Sequence, residues 1–330
     1  MAAGLIFITG ASGFIGSATA LAALKAGYRL RVCLRKPSET LEAALSEYSQ
    51  NIEYVIVPDI TDEAAFKGKL DGADYVLHLA SPLTHGIEKE SYFGPAVKGT
   101  NAVLNEATRV PSIKKVVVTS SIAALIPLNG IPEGGVIKED NDWDFSVDEA
   151  ADFTDPSNPA GTAMRLYRAS KLLANNASWE LWKTAKPHYA LVTIHPSFVF
   201  GQNLVQTSAE QISSSSNGLL WGTIMTGTPS GSVTGVHIQD VAEAHVKALN
   251  PEIADGSKYL ISGNKATWGD VAHIVKKHYP NLGAKISADI EGSSSPTDTT
   301  KAEKDLKIEW RSLEQMVREV VDQQLGFVNH

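Results

Sequence analysis

Short apolar runs alternate with longer segments of helical spacing along the first 120 residues of the chain. The runs are rich in Val, Ile and Leu at successive positions, which is typical of strands that are buried on both faces. The first helical segment ends at Gly27, a common residue type at a helix C-terminus. The predicted strands are residues 5–10, 28–35, 53–59, 74–81 and 114–121, and the clearest predicted helices are residues 14–26 and 90–109. This order predicts βαβ units and an α/β fold with a doubly wound parallel sheet.

The pattern changes after the fifth predicted strand. Residues 122–160 are rich in Pro, Gly, Asp and Asn, and they predict a long surface excursion of a kind that is usually functional or poorly ordered. A helix near 161–185 and a sixth strand over 189–201 that leaves the sheet follow. The elements beyond a polar stretch at 213–218 are shorter and predict a smaller C-terminal lobe against the sheet edge. They are strands at 232–238 and 258–262, a helix at 239–248 and C-terminal helices. The predicted domains are residues 1–200 and 201–330, with parts near 232–262 returning to the first domain.

The composition excludes several classes of partner. The 330 residues are 43% hydrophobic and 20% charged, the net charge is −8, and basic residues do not cluster, so no nucleic-acid binding is expected. Cys33 is the only cysteine, which excludes an intramolecular disulfide, and its apolar surroundings predict a small buried side chain. The nine histidines are scattered without metal-ligand spacing, so no metal site is predicted. The first residues read as a strand rather than a signal peptide, and no apolar stretch is long enough for a membrane span, so we expect a cytoplasmic protein.

The first predicted strand runs directly into the sequence GASGFIG, which contains Gly10, Gly13 and Gly16. A strand that turns into a helix while its backbone approaches a pyrophosphate needs residues without side chains at the turn. The helix N-terminus then supplies N–H donors and the positive end of a dipole. The spacing differs from the Gly-x-Gly-x-x-Gly of many dinucleotide-binding turns. A tight turn without a ligand is the alternative, but the position between a strand and a helix favours a dinucleotide site.

Two basic residues, Arg35 and Lys36, end the second predicted strand. In dinucleotide-binding folds an acidic residue at this point binds the ribose 2′-hydroxyl of NAD, whereas basic residues accommodate the 2′-phosphate of NADP. The planar guanidinium of arginine suits a phosphate well. The sequence therefore predicts NADPH or NADP+ as the cofactor, with two solvated surface cations as the alternative.

Tyr167 stands four residues before Lys171 in the predicted helix near 161–185, so the two side chains share one helix face, one turn apart. Taken alone, this pair is typical of any amphipathic helix. Its meaning depends on the other motifs of the chain.

Together the motifs resemble those of the extended short-chain dehydrogenase/reductases, and the resemblance runs from end to end of the chain. The most similar branch contains dihydroflavonol reductases, cinnamoyl-CoA reductases and the fungal NADPH-dependent methylglyoxal, aldehyde and ketone reductases. The motifs that carry the resemblance are ITGASGFIG at 8–16, RK at 35–36, PDIT at 58–61, HLASP at 78–82, AVKGTNAVL at 96–104, VVVTSS at 116–121, YRASK at 167–171, HPSFVFG at 195–201 and GVHIQDVAEAH at 235–245.

The resemblance implies a Rossmann domain that binds NADP and a smaller C-terminal lobe that binds the substrate. It assigns Tyr167 as the proton donor, Lys171 as the residue that modulates it, and Ser121 as the hydroxyl that orients the substrate carbonyl. The neighbouring Ser120 is expected to form only a strand-end hydrogen bond. The implied cofactor contacts are Gly10, Ser12, Gly13, Phe14, Ile15, Gly16, Arg35, Lys36, Asp59, Ile60, Leu79, Ala80, Ser81, Thr119, Tyr167, Lys171, Pro196, Phe198 and Val199, with Asp59 and Ile60 at the adenine ring. The implied substrate pocket contains Leu83, Ser121, Ile122, Tyr167 and Phe198.

The chemistry of carbonyl reduction calls for these residue types. Hydride added to a carbonyl leaves an alkoxide that must receive a proton, and a phenol can donate it. An ammonium about 4 Å away favours the phenolate that remains. Ser121 ends a predicted strand at the carboxyl edge of the sheet, which is where ligands bind in open α/β folds.

We therefore expect an NADPH-dependent carbonyl reductase that interconverts an aldehyde or ketone and an alcohol. The apolar residues Leu83, Ile122 and Phe198 favour a hydrophobic substrate, and the excursion over 122–160 is expected to border its cleft. One alternative is an NAD-dependent nucleotide-sugar epimerase or dehydratase, which Arg35, Lys36 and the apolar pocket disfavour. The other is a non-catalytic dinucleotide sensor, which the Ser-Tyr-Lys set disfavours. A monomer and a homodimer both fit the sequence.

Overall fold

A computed structural model describes residues 3–81, 86–229 and 231–328 of the chain. Within these residues the centre of the protein is a sheet of seven parallel strands, and this confirms the predicted α/β fold. Its strands are β1 (Leu5–Thr9), β2 (Arg29–Leu34), β3 (Ile52–Ile56), β4 (Tyr75–His78), β5 (Lys115–Thr119), β6 (Ala190–Pro196) and β9 (Ser257–Ile261). Two short strands, β7 (Phe198–Phe200) and β8 (Gly235–His237), lie outside this sheet. The order across the sheet is β3-β2-β1-β4-β5-β6-β9. The order reverses between β1 and β4, and such a reversal opens a crevice at the carboxyl ends of the strands.

Helices cover both faces of this sheet. The helices, some on the sheet and some in the C-terminal part, are α1 (Phe14–Lys25), α2 (Glu39–Ala44), α3 (Phe93–Thr108), α4 (Pro159–Ala185), α5 (Asn217–Thr226), α6 (Ile238–Lys247), α7 (Trp268–His278), α8 (Thr300–Leu306) and α9 (Leu313–Val328). Ile8 and Val117 point to the face that carries α1 and α6, whereas Phe7 and Val116 point to the face that carries α3 and α4. Because successive strand residues point to opposite faces and both faces are buried, the strands read as continuous apolar runs.

The smaller elements of the C-terminal part pack around their own apolar cluster. Buried residues of α5, α7 and α9, among them Leu220, Val271 and Val317, form this cluster together with Phe200. The strand predicted over 189–201 is divided at Ser197, since β6 stays in the main sheet and β7 pairs with β8 outside it. The chain then returns to the main sheet through β9. The domain division at residue 200 stays a prediction.

The excursion before α4 covers an edge of the sheet. It begins with a short 3₁₀ turn at Ile122–Leu125 and ends at Asn158, whose side chain accepts a hydrogen bond from Gly161 N–H at 2.9 Å and caps α4. Between these ends, the Glu139 carboxylate accepts a hydrogen bond from Leu260 N–H of β9 at 2.7 Å. Unpaired N–H groups on an edge strand otherwise invite pairing with another chain. The excursion therefore satisfies part of the β9 edge.

No helix in the described ranges is long and apolar enough to cross a membrane. The same ranges contain no group of three or more His, Cys, Asp or Glu side chains that could hold a metal ion.

Candidate functional site

The glycine turn lies at the crevice between β1 and β4. Gly10 has φ +76°, and a Cβ atom there would lie 2.5 Å from the backbone nitrogen of Ala80. A Cβ on Gly16 would lie 2.0 Å from the Gly10 carbonyl oxygen. Gly13 occupies the N-cap position of α1 without any side chain to cap the helix. The backbone N–H groups at the start of α1 are therefore open to a bound phosphate, and the turn fits a dinucleotide.

Thr9 fixes the segment that follows β4 against this turn. Its hydroxyl accepts a hydrogen bond from Ala80 N–H at 3.1 Å and lies 2.8 Å from Nδ1 of His78. Leu79 N–H donates to the Thr9 carbonyl at 3.2 Å. Burial lowers the pKa of His78 to about 4, and the nearby charge of Lys171 adds to the effect. The predicted contacts Leu79 and Ala80 thus lie directly beside the glycine turn.

The residues predicted for the nucleotide half lie along the neighbouring strand ends. Arg35 and Lys36 directly follow β2 and are exposed, and no carboxylate of the described chain lies within 4.0 Å of either cation. The Oδ1 atom of Asp59 accepts hydrogen bonds from the N–H and the hydroxyl of Thr61, both at 2.8 Å, and these bonds lower the pKa of Asp59. Both cations and the carboxylate therefore face solvent at the carboxyl edge of the sheet.

The Ile60 side chain packs closely against α3 at Gly99, where no side chain is present. A Cβ atom on Gly99 would lie 3.0 Å from Cδ1 of Ile60. Sequence reasoning assigned no role to Gly99, although a glycine within a predicted helix is itself a signal of close packing.

Helix α4 holds the tyrosine and the lysine as the spacing predicts. Nζ of Lys171 lies 5.5 Å from the centroid of the Tyr167 ring and donates a hydrogen bond to Oγ of Ser81 at 2.8 Å. Both side chains are half-buried, and Ser81 is exposed. The bond to Ser81 joins the pair to the segment after β4, so the pair opens towards the same edge as the glycine turn.

The two serines after β5 have different surroundings. Oγ of Ser121 accepts a hydrogen bond from Ala123 N–H at 3.1 Å, and its carbonyl lies 3.1 Å from Nδ1 of His195. Oγ of Ser120 instead lies 3.4 Å from Oδ1 of Asn175 on α4. Because the Ser121 oxygen already accepts from a backbone N–H, its own proton is free for another acceptor. No direct hydrogen bond joins Ser121, Tyr167 and Lys171 anywhere in the described chain.

Ser120 also lines a small cavity of mixed polar and apolar lining between α3, α4 and the sheet. The lining side chains include Thr100, Ser120, Lys171, Asn175, Ser178 and Thr193. Lys171 lines this cavity, and Ser121 does not.

Several other predicted contact residues already bond to or pack against other parts of the protein. The Thr119 hydroxyl lies 2.7 Å from Nε2 of His245, and Val199 is buried in the core. Phe198 is half-buried beside the C-terminal cluster, and Pro196 is buried at the end of β6. Ile122 packs against the cluster of Leu125, Ile137 and Leu260 beneath the excursion. In the glycine turn, Ser12 is exposed while Phe14 and Ile15 are half-buried, and Leu83 lies outside the described residues.

Known proteins match this chain over most of its length. Residues 6–262 match the family model described as the NAD dependent epimerase/dehydratase family. Ketoreductase sphI of Aspergillus fumigatus is 64% identical over 332 residues, which cover 100% of both chains. Cinnamoyl-CoA reductase CAD2 of Medicago truncatula is 31% identical over 329 residues, which cover 96% of both chains. Among solved structures, Gre2 of Candida albicans in complex with NADPH has a TM-score of 0.84 at 28% identity, with 98% of this chain and 99% of that chain covered.

The glycine turn, the strand ends around it and the Tyr167–Lys171 pair all lie within the segment that the family model matches. The relatives are aligned without large unmatched regions on either side. The chain therefore belongs to the NAD dependent epimerase/dehydratase family, the extended short-chain dehydrogenase/reductases that its motifs resemble.

Proposed function

We propose that the protein is an NADPH-dependent carbonyl reductase that reduces an aldehyde or ketone to the alcohol and catalyses the reverse reaction. The observation that carries the proposal is the position of the Tyr167–Lys171 pair. Lys171 is bonded to Ser81 beside the glycine turn, so the phenol faces the edge where a dinucleotide fits. The ketoreductase of Aspergillus fumigatus and the NADPH complex of Gre2 support the same reaction class and cofactor.

The chain offers a contact for each part of NADPH. The open N–H groups of the glycine turn suit the pyrophosphate, and the exposed Arg35 and Lys36 suit the 2′-phosphate. Asp59 and Ile60 are assigned to the adenine ring. The remaining assigned contacts, towards the nicotinamide end, are Leu79, Ala80, Ser81, Thr119, Tyr167, Lys171, Pro196, Phe198 and Val199. When bound, NADPH supplies the hydride. We assign cofactor binding to residues 1–200 and the smaller substrate-binding lobe to residues 201–330, with parts near 232–262 returning to the first domain.

Three side chains are assigned to the reacting carbonyl. The free proton of the Ser121 hydroxyl is available to donate to the carbonyl oxygen and polarise it. Tyr167 donates its hydroxyl proton to that oxygen as the alkoxide forms, and its phenolate accepts a proton in the reverse direction. The ammonium of Lys171 stabilises the negative charge that stays on the phenolate. Protein groups alone thus supply both hydrogen bonds to the reacting oxygen.

The surroundings of Tyr167 suit a hydrophobic substrate. Met164 lies one helical turn before Tyr167 and is 50% exposed, and the half-buried Ile122 and Phe198 are assigned to the same pocket. Leu83, outside the described residues, is assigned there on the sequence resemblance. An apolar aldehyde or ketone is therefore the proposed substrate class.

Replacing Ser121 and Ser120 in turn tests the proposed centre with a matched pair. Ser121→Ala is expected to lower kcat at least about tenfold while changing the KM for NADPH little, because the hydroxyl contacts the carbonyl and not the cofactor. Ser120→Ala is the control, since Ser120 faces Asn175. The rate of NADPH oxidation with a panel of ketones and aldehydes measures both effects. A larger loss in Ser120→Ala would show that the carbonyl is bound by the other serine.

The same assay separates the alternative functions. A nucleotide-sugar epimerase or dehydratase would carry tightly bound NAD after purification and oxidise NADPH with none of the carbonyls. A dinucleotide sensor would bind NADPH without turnover. Oxidation of NADPH by any carbonyl in the panel excludes both.

Arg35→Asp is expected to remove a preference for NADPH. Hydrogen bonds to charged groups contribute about 1.5–3 kcal/mol, with exposed sites at the lower end, so one such contact corresponds to at least about tenfold in kcat/KM. The variant deletes the guanidinium and places a carboxylate against the 2′-phosphate, whereas NADH has only a hydroxyl there. Steady-state kcat/KM for both cofactors in both proteins measures the change. If the unmodified protein has equal kcat/KM for NADH and NADPH, Arg35 and Lys36 are surface charges without a role in cofactor choice.

Lys25→Asp provides the matched control for this test. Lys25 is exposed at the C-terminal end of α1, at the far end of the helix from the glycine turn, and the substitution changes the charge by the same amount. The cofactor preference of that variant should equal that of the unmodified protein.

A further inference from the structure

His195 is fully buried beside Ser121. Its Nδ1 lies 3.1 Å from the Ser121 carbonyl oxygen, and its Nε2 lies 2.8 Å from Oγ1 of Thr193. A carbonyl can only accept a hydrogen bond, so Nδ1 carries the proton. In the neutral ring Nε2 then accepts a hydrogen bond from the Thr193 hydroxyl. Both ring nitrogens are satisfied in this one tautomer.

The ladder between β5 and β6 ends just before Ser121. Ser120 N–H donates to the Ile194 carbonyl at 2.7 Å, which continues the ladder between β5 and β6. The following bond of a parallel ladder would need an N–H at position 196, and Pro196 has none. The ladder between these strands therefore ends at Ser120. Beyond this point the Ser121 carbonyl accepts from Ala124 N–H at 2.9 Å and from the imidazole of His195.

We propose that His195 is a positioning residue that holds Ser121 in the orientation needed to bind the substrate carbonyl. Ser121 accepts three hydrogen bonds: its carbonyl accepts from His195 and from Ala124 N–H, and its Oγ accepts from Ala123 N–H. Together these bonds fix the backbone and the side chain, and they leave the hydroxyl proton free. The inference rests on the proposed function, since it explains how Ser121 is kept in place for that reaction. Small displacements of a reacting group are costly in rate.

The electrostatics fit a positioning role rather than an acid or base. Burial lowers the pKa of His195 to about 3, the bond to Ser121 opposes this, and the cations of Lys258 on β9 and Lys301 on α8 add to the lowering. The ring is fully enclosed and neutral at the pH of the reaction, so it exchanges no proton with the substrate.

Two amide variants test the role while keeping a polar side chain in the buried site. In His195→Asn the amide nitrogen can take the place of Nδ1 and donate to Ser121. In His195→Gln the amide sits one carbon further out, near the place of Nε2, and reaches Thr193 instead. We expect His195→Gln to lower kcat at least about tenfold, with the KM for NADPH nearly unchanged, and His195→Asn to recover most of that loss. Equal kcat in the two variants would overturn the proposal.

A double-mutant cycle with Ser121→Ala separates positioning from general stability. If His195 acts through Ser121, then His195→Gln lowers kcat less than about threefold once the serine hydroxyl has been removed. His245→Gln is the control, because His245 makes an equivalent pair of bonds, to Thr119 and the Val241 carbonyl, without touching Ser121. His245→Gln should change kcat by the same factor in the unmodified protein and in the Ser121→Ala variant.

The outcomes of the cycle are distinct. An effect of His195→Gln that is unchanged in the Ser121→Ala background would reduce His195 to a structural residue and overturn the inference. Full activity of Ser121→Ala by itself would instead overturn the proposed function, whatever His195 does.

Discussion

Tyr167→Phe is expected to lower kcat at least about a hundredfold and to leave the affinity for NADPH nearly unchanged, because it removes the proposed proton donor and keeps the ring. In the described chain the Tyr167 hydroxyl forms no hydrogen bond, so the variant should also keep the thermal stability of the unmodified protein. Lys171 keeps its bond to Ser81 in the variant. Steady-state kinetics, NADPH titration and a thermal unfolding scan together measure the three quantities.

Tyr189→Phe is the matched control for this prediction. The Tyr189 hydroxyl is buried and donates to the Leu104 carbonyl at 3.1 Å, far from the crevice. Its removal should reduce stability by about 0.5–1.5 kcal/mol with kcat preserved, since the Leu104 carbonyl still accepts from the Thr108 hydroxyl. If Tyr167→Phe retains near-normal kcat, the pair on α4 is an ordinary helix face and not the centre of the reaction.

Lowering the pH from 7 to 5.5 is expected to destabilise the protein by about 4 kcal/mol through three buried histidines. Burial lowers the pKa of His78 to about 4, of His195 to about 3 and of His245 to about 4, from an ordinary value of 6.5. The folded state therefore stays unprotonated at these residues while the unfolded chain takes up protons. The contribution of these histidines to the free energy of unfolding is fully present above pH 6.5, the pKa of histidine in the unfolded chain. It is lost as the pH falls from 6.5 towards their pKa values in the folded protein.

Urea unfolding at pH 7 and pH 5.5 measures this loss. At full protonation of the unfolded chain, each histidine contributes a slope of about 1.4 kcal/mol per pH unit. His245→Asn should remove about one third of the pH dependence, whatever it does to stability at pH 7. The low pKa of Glu319, about 2, affects stability only at more acidic pH, as that carboxylate becomes protonated. A total loss below about 1 kcal/mol over this interval would contradict the prediction.

The parallel sheet and the glycine turn could be predicted because their signals are local. An apolar run buried on both faces is visible in a few residues, and Gly10, Gly13 and Gly16 stand in one short motif. The spacing of Tyr167 and Lys171 likewise fixes their shared helix face without any knowledge of the rest of the fold. The family resemblance added the choice of Ser121 over Ser120, which no local pattern distinguishes.

The contacts that depend on distant segments could not be predicted. Glu139 meets Leu260 across 121 residues of chain, and His195 meets Ser121 across 74. Both contacts depend on the order of the strands across the sheet, which periodicity does not reveal. The break of the sixth strand at Ser197 also escaped the pattern, because apolar residues resume directly after it in β7.

The tight packing of the glycine turn determines how cofactor choice can evolve. Even a methyl group at Gly10 or Gly16 would overlap backbone atoms, which cannot move aside as a flexible side chain can. Substitutions at Gly10 and Gly16 are therefore not tolerated by this turn. Arg35 and Lys36 are exposed and can be exchanged at little cost in stability. If these two cations bind the 2′-phosphate as proposed, one or two substitutions after β2 would change the preferred dinucleotide and leave the fold intact.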